Sequence, residues 1–226
     1  MKINGLLIGR ITTLGGGKTL SGIDKQLQFE PVKLSYNGFI GDEQADTRHH
    51  GGPEKALHHY DFAHYEFWKA QIGNLKILEQ MGAFGENIST IGLDETSIAI
   101  GDIFRLGTAI IEVSQGRQPC YKLNLRFQNR EMAKQVQMTG RSGWYYRVKQ
   151  EGIVAPGDEL VLIDRQAPTW TIARIGNILY HDRLNRQALM ALSALELLSF
   201  SWRKIAIKRL ETNKIENWSA RLYGRR

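Results

Sequence analysis

The sequence predicts a mainly β protein with α additions: a mixed, β-barrel-like domain over residues 1–165, followed by a small three-helix module over residues 166–226. Three observations carry this reading. Short β-branched and apolar runs separated by glycine turns fill the first part. Apolar residues recur at helical spacing in the second. Charge divides at nearly the same place: residues 1–164 hold 18 Lys and Arg against 19 Asp and Glu, whereas residues 165–226 hold 12 against 4. At 226 residues and 42% hydrophobic, the chain is long enough to bury a large core and support an appendage.

The elements follow in order. GLLIGRI near the N-terminus reads as a strand. GGGKT at 15–19 resembles a phosphate loop, but that pattern needs a glycine where Thr12 stands, and LSGIDKQLQFE after it lacks the periodicity of a phosphate-holding helix. It reads as a glycine loop between strands. VKLSYNGFIG supplies further strand, and residues 61–71 form a helical insert. IFRLG and TAIIEV make the clearest hairpin, with Leu106-Gly107 near its turn, and deliver the chain to Cys120. A second insert occupies residues 130–138, and WYYRVKQEG and ELVLID complete the β part. The irregular spacing fits a mixed barrel better than a two-sheet sandwich.

After Asp164, the run Gln166-Ala167-Pro168 forms a hinge, because the residue before a proline is steered away from helix. Pro168 opens a helix with Ile172, Ile175 and Leu179 on one face. Leu184, Ala188, Leu192 and Leu195 mark a second helix, and Trp202, Ile205, Arg209 and Leu210 a third.

Composition narrows the functional classes. The absence of a run of about eighteen apolar residues predicts no membrane span, and the polar, glycine-rich sequence after MKINGLLIGR predicts a soluble, cytoplasmic protein. One cysteine cannot form an internal disulfide, ligate an iron–sulfur cluster alone or attach c-type haem. The net charge of +7 resides in the tail, whereas a groove tracking a nucleic-acid backbone usually draws on the main body as well. A basic tail fits an acidic partner or simple solubility, and nucleic acid is not the expected ligand.

Several segments bear chemistry without settling it alone. His49, His50, His58, His59 and nearby His64 suggest zinc, but neighbouring histidines in an extended chain point to opposite sides, and no second cysteine joins them. His50-Gly51-Gly52 can instead form a side-chain-poor loop whose N–H groups approach an anion. Glu86 and Asn87 in FGENIST, taken alone, mark the beginning of an ordinary strand. SQGRQPCYKL is the most informative segment. Gln115, Arg117 and Lys122 surround the sole thiol, and nearby cations favour a thiolate able to bind a soft metal; a buried structural cysteine is the competing reading.

Taken in order, HGGPEKALHHY, FGENIST, GDIFRLG, SQGRQPCYKL and TGRSGWYYRV resemble the MOSC domain family in its bacterial YiiM branch. The resemblance covers nearly the whole chain, since that branch also ends in a three-helix extension. It implies a molybdenum cofactor of the molybdopterin type with Cys120 as metal ligand and catalytic centre. It also implies reduction of N-hydroxylated substrates such as hydroxylaminopurines. Cofactor contacts are expected from Arg117, Lys122, His50, Gly51, Gly52, Glu86, Asn87 and Gln115. With no flavin, haem or iron–sulfur motif, electrons are expected from a separate reductase, steered by Arg203, Lys204, Lys208, Arg209 and Lys214. A non-enzymatic cofactor carrier or sulfur-handling module keeps the same contacts. One departure concerns Gly116, where the branch commonly has proline; it predicts a more flexible cysteine loop.

Overall fold

The computed structural model describes residues 1–46 and 51–224. Its centre is an eight-stranded mixed sheet in the order β13-β9-β10-β11-β7-β8-β1-β4. These strands are β1 (Gly5–Gly9), β4 (Lys25–Leu27), β7 (Leu57–Asp61), β8 (Ile88–Thr90), β9 (Asp102–Leu106), β10 (Ala109–Gly116), β11 (Trp144–Gln150) and β13 (Leu160–Arg165). Only β7 and β8 run parallel. Two smaller ladders join β2 (Thr12–Leu14) to β3 (Thr19–Ser21), and β12 (Gly152–Val154) to β5 (Val32–Ser35) to β6 (Gly38–Phe39).

No closed barrel is found among the described residues, and the β part is a large mixed sheet whose two ends approach each other. Over Gly5–Gly9, β1 is occupied on both sides, by β8 and by β4, so it has no edge left for β13. Only the residues before it reach across: Lys2 and Glu159 form an isolated bridge, and Ile3 N donates to Asp158 O at 2.9 Å. The sheet's twist brings its ends together, and Leu160 N donates to Met1 O at 2.7 Å beside that bridge, so residues 1–3 and 158–160 form a short link between them.

The hairpin of β9 and β10 pairs Leu106 with Ala109 around Gly107, as the alternation predicts. The glycines of GGGKT fall in the turn between β2 and β3. Helix α1 (His64–Ile72) and helix α3 (Met132–Thr139) correspond to the two predicted inserts, and a short helix α2 (Lys122–Arg126) follows the cysteine loop.

Four helices end the chain: α4 (Ile172–Tyr180), α5 (Arg186–Ser193), α6 (Phe200–Thr212) and α7 (Ser219–Tyr223). Helix α4 begins later than Pro168 implies, because Thr171 caps it by accepting from Arg174 N at 3.1 Å. Leu184 precedes α5 and is exposed, whereas Leu189 and Leu192 carry that helix's buried face. Helix α7 has no counterpart in the sequence reading. Ile172, Ile175, Leu179, Leu192 and Trp202 belong to one apolar cluster with Leu106, Ile111 and Tyr146 of the sheet. A second cluster, centred on Tyr60, Trp68 and Phe84, includes Leu123, Met132 and Leu222. The cysteine loop runs between β10 and α2, where these two cores meet. No helix among the described residues is long and apolar enough to cross a membrane.

Candidate functional site

Strand β10 aims the cysteine loop. Its ladder with β11 carries a bulge between Val113 and Gln115, which turns the chain just before the loop starts. Ser114 braces that bend, its Oγ lying 2.6 Å from Glu54 O and 3.1 Å from Tyr145 O. Arg117 N donates to Gly143 O at 3.0 Å, and Tyr121 N to Arg221 O at 2.7 Å. Leu123 N donates to Cys120 O at 2.9 Å and opens α2. The 117–121 loop is therefore anchored at both ends.

Gly143 shows why the opposing loop needs a glycine. Its φ is +73°, and a Cβ there would sit 2.2 Å from His59 O. Any side chain would push the loop off β7 and move the carbonyl that holds Arg117.

Cys120, at 8% exposure, opens into a cleft shared with Arg117, Lys122, Asn87, His58 and Tyr145. Arg117 is buried, and its Nη1 has no hydrogen-bond partner. A guanidinium nitrogen in that state is costly unless an anion completes it. Asn87 is fully engaged: Oδ1 accepts from His58 N at 3.1 Å, and Nδ2 donates to Leu7 O at 3.1 Å and Asp42 Oδ2 at 2.9 Å. It ties the far wall of the cleft together. Lys25, on the same wall, pairs with Asp42; burial draws its pKa down while Asp42 opposes the shift. Lys55 also lines the cleft, and burial lowers it, with Asp46 opposing.

Burial, and next the Arg117 charge, hold His58 well below the ordinary imidazole value. Its Nε2 lies 3.3 Å from Ser142 O, and hydrogen bonds to the Ser142 and Gly85 backbone oppose the shift. Burial pushes the Tyr145 phenol up, Arg117 pulling the other way. It keeps its proton at neutral pH.

The residues expected from sequence therefore separate. Cys120, Arg117, Lys122 and Asn87 come together. Glu86 points away: its carboxylate accepts from Gly82 N at 2.7 Å and Phe84 N at 3.1 Å, bracing the turn before β8. Gln115 faces α6, where its Oε1 accepts from Ser201 Oγ at 3.4 Å. Gly51 and Gly52 lead into the turn that carries Lys55, with Gly52 O accepting from Lys55 N at 2.9 Å. His50 and His49 lie outside the described residues. His58 faces the cleft, while its neighbour His59 bonds Tyr146 Oη at 2.9 Å and Thr90 Oγ1 at 2.8 Å. His64 pairs with Glu95 at 2.7 Å. Among the described residues, no group of three His, Cys, Asp or Glu side chains is placed to hold a metal.

Lys25, Asp42, Lys55 and Tyr145 are wall residues that the sequence reading missed. Lys25 pairs with Gly9 in the ladder of β1 with β4, and Asp42, from the turn after β6, accepts from Gly9 N at 2.7 Å, so no local pattern signals the pair. Tyr145 lies in TGRSGWYYRV, whose alternation marks only a strand.

Two expectations are corrected. Arg209 is 1% exposed and bonded to Glu216, Leu179 O and Arg183 O, so it belongs to the interior and not to a basic docking face. Its apolar spacing with Trp202 and Ile205 was the available signal. Gly116 is buried in β10, paired with Trp144, and a Cβ there would lie 2.8 Å from Trp202 Cη2. Close approach of a tryptophan, rather than loop flexibility, accounts for the missing side chain.

Two family profiles match: the MOSC domain over residues 46–161, and a YiiM-like 3-alpha helix domain over residues 170–213. Protein YiiM of Escherichia coli is 39% identical over 217 residues, covering 96% of each chain. Its crystal structure superposes with a TM-score of 0.82 at 34% identity, covering 99% of this chain and 100% of that one. The crystal structure of YiiM from Geobacillus stearothermophilus gives a TM-score of 0.78 at 36% identity, with 92% and 97% covered. A Gibberella moniliformis protein named Reductase is 39% identical over 165 residues, 73% of this chain and 29% of that longer protein.

Proposed function

Because this chain belongs to the MOSC domain family, with the YiiM-like helical extension, we propose that it is a molybdenum-cofactor-dependent oxidoreductase that reduces N-hydroxylated compounds to amines. The observation that carries the reading is the buried Arg117 with an unpartnered Nη1, opening on the same cleft as the sole cysteine. That donor set fits the cofactor: a thiolate suits a soft metal, and guanidinium and ammonium groups suit a phosphate. The reductase name of the fungal relative points the same way.

When bound, the cofactor supplies a two-electron couple able to accept one oxygen atom. The balanced reaction is R–NHOH with two electrons and two protons giving R–NH2 and water, the N–O bond breaking. Cys120 would hold the metal, and Arg117 and Lys122 the anionic pterin phosphate. Asn87 and the Lys25–Asp42 pair keep the opposite wall rigid. His58 stays neutral, so it adds no charge to a cleft already rich in cations. The Tyr145 hydroxyl holds a proton at neutral pH on the cleft wall, where it can orient a substrate hydroxyl. Electrons would arrive from a separate reductase protein.

The test combines metal and pterin analysis of protein from a molybdenum-replete host with turnover of a hydroxylamine using an artificial reductant. Cys120→Ser should abolish turnover and keep the fold, since a hydroxyl is a poor molybdenum ligand. Arg117→Ala should lower pterin occupancy more than thermal stability. Turnover by folded Cys120→Ser would overturn the ligand assignment. Cofactor retention without turnover would favour a carrier or sulfur-handling module.

A further inference from the structure

We propose that the C-terminal helix α7 is a strap that positions Cys120, with Arg221 as its positioning residue. The inference rests on the reading of Cys120 as the metal ligand. Helix α7 lies past residue 213, where the match to the three-helix family ends.

Arg221 reaches both sides of the cysteine loop. Its Nη1 donates to Pro119 O at 2.6 Å, and its Nη2 to Gln137 Oε1 at 2.6 Å. Its own carbonyl accepts from Tyr121 N at 2.7 Å. One residue therefore grips the peptide groups immediately before and after Cys120 and ties them to α3. The next residue repeats the pattern: Leu222 O accepts from Asn124 Nδ2 at 2.7 Å, and the Leu222 side chain is buried in the cluster that contains Leu123. Sequence separations of about one hundred residues mean that no local propensity holds the loop this way.

The chemistry explains why a strap is useful here. A ligand thiolate must be held within a few tenths of an ångström to keep its bond to a metal, and residues 117–120 lie outside helix and strand, so no ladder of their own holds them. A guanidinium presents a fixed fork, so bonding two acceptors at once fixes their relative position, which a lysine reaching one of them does not. The strap also covers the loop, consistent with the low exposure of Cys120.

The cofactor-free thiol reports the strap directly. The rate of alkylation of Cys120 by iodoacetamide is measured across pH in wild type, Arg221→Ala and Arg221→Lys, alongside the unfolding midpoint of each. The plateau at high pH, where the thiol is ionised in every variant, reads access alone. Arg221→Ala should raise that plateau by about tenfold, the factor expected when one or two charge-assisted hydrogen bonds no longer oppose local opening. Arg221→Lys should raise it less. Leu189→Ala, in α5 and in the other apolar cluster from Leu123 and Leu222, serves as the control; it should lower the unfolding midpoint and leave the plateau unchanged. A wild-type plateau in Arg221→Ala would overturn the strap, as would an equal rise in Leu189→Ala. Neither result depends on the cofactor, so failure here and failure of the molybdenum reading are distinguishable.

Discussion

A buried guanidinium nitrogen without a partner is the least economical feature of the cleft, since an unsatisfied buried donor costs about 1–3 kcal/mol and more when charged. Its retention beside a thiol is what an anionic ligand would explain. The neighbouring histidines act oppositely, by staying neutral. Burial lowers the His59 pKa to about 3, against about 6.5 when unfolded. Between those values only the unfolded chain binds the proton. Stability should therefore fall on acidification below about pH 6.5, by up to about 1.4 kcal/mol per pH unit, and the loss should continue towards pH 3. His58 shifts in the same direction. Urea unfolding of wild type and His59→Gln between pH 7 and pH 5 measures the effect. The variant should show a slope shallower by up to one proton, and equal slopes would mean that His59 titrates normally.

Among the elements, β10 does the most to build the site. Its bulge turns the chain towards Cys120, and Gly116 admits the Trp202 ring from α6. Alanine at 116 should cost about 1–3 kcal/mol, because a methyl must displace a packed ring or bend the strand. Replacing Trp202 with leucine vacates the space that the methyl needs. In a double-mutant cycle, the alanine should cost at least about 1 kcal/mol less in the Trp202→Leu background. Strictly additive urea midpoints would show that something other than the ring excludes a side chain. The hairpin of β9 and β10, by contrast, was readable from alternation and a glycine turn, since its contacts are local. Helix α7 was not: five residues carry too little periodicity, and its partners lie about one hundred residues upstream.

Over the whole molecule, the terminal helices share the sheet's core while exposing Lys204 and Lys208, with Lys214 exposed just after α6. If that face steers an acidic reductase, Lys204→Glu with Lys208→Glu should slow turnover with the natural donor, most strongly at low ionic strength, and leave turnover with a small reductant unchanged. Parallel losses in both assays would place the helices in support of the active site, and no loss in either would leave the lysines as solvated surface. Periodicity and turn chemistry act over a few residues, so the mainly β body, the hairpin of β9 and β10, the apolar faces of α4 and α6 and the cysteine loop were legible along the chain. The sequence also carried the family, through the order of five motifs. The rest came from long-range packing. It set how the two ends of the sheet meet, through residues 1–3 and 158–160, and it turned Glu86 and Gln115 away from the cleft. It also buried Arg209, joined Lys25 to Asp42 and laid Arg221 across the cysteine loop. Each of these depends on which distant strands and helices become neighbours, and hydrogen-bond satisfaction of buried polar groups is settled only when they do.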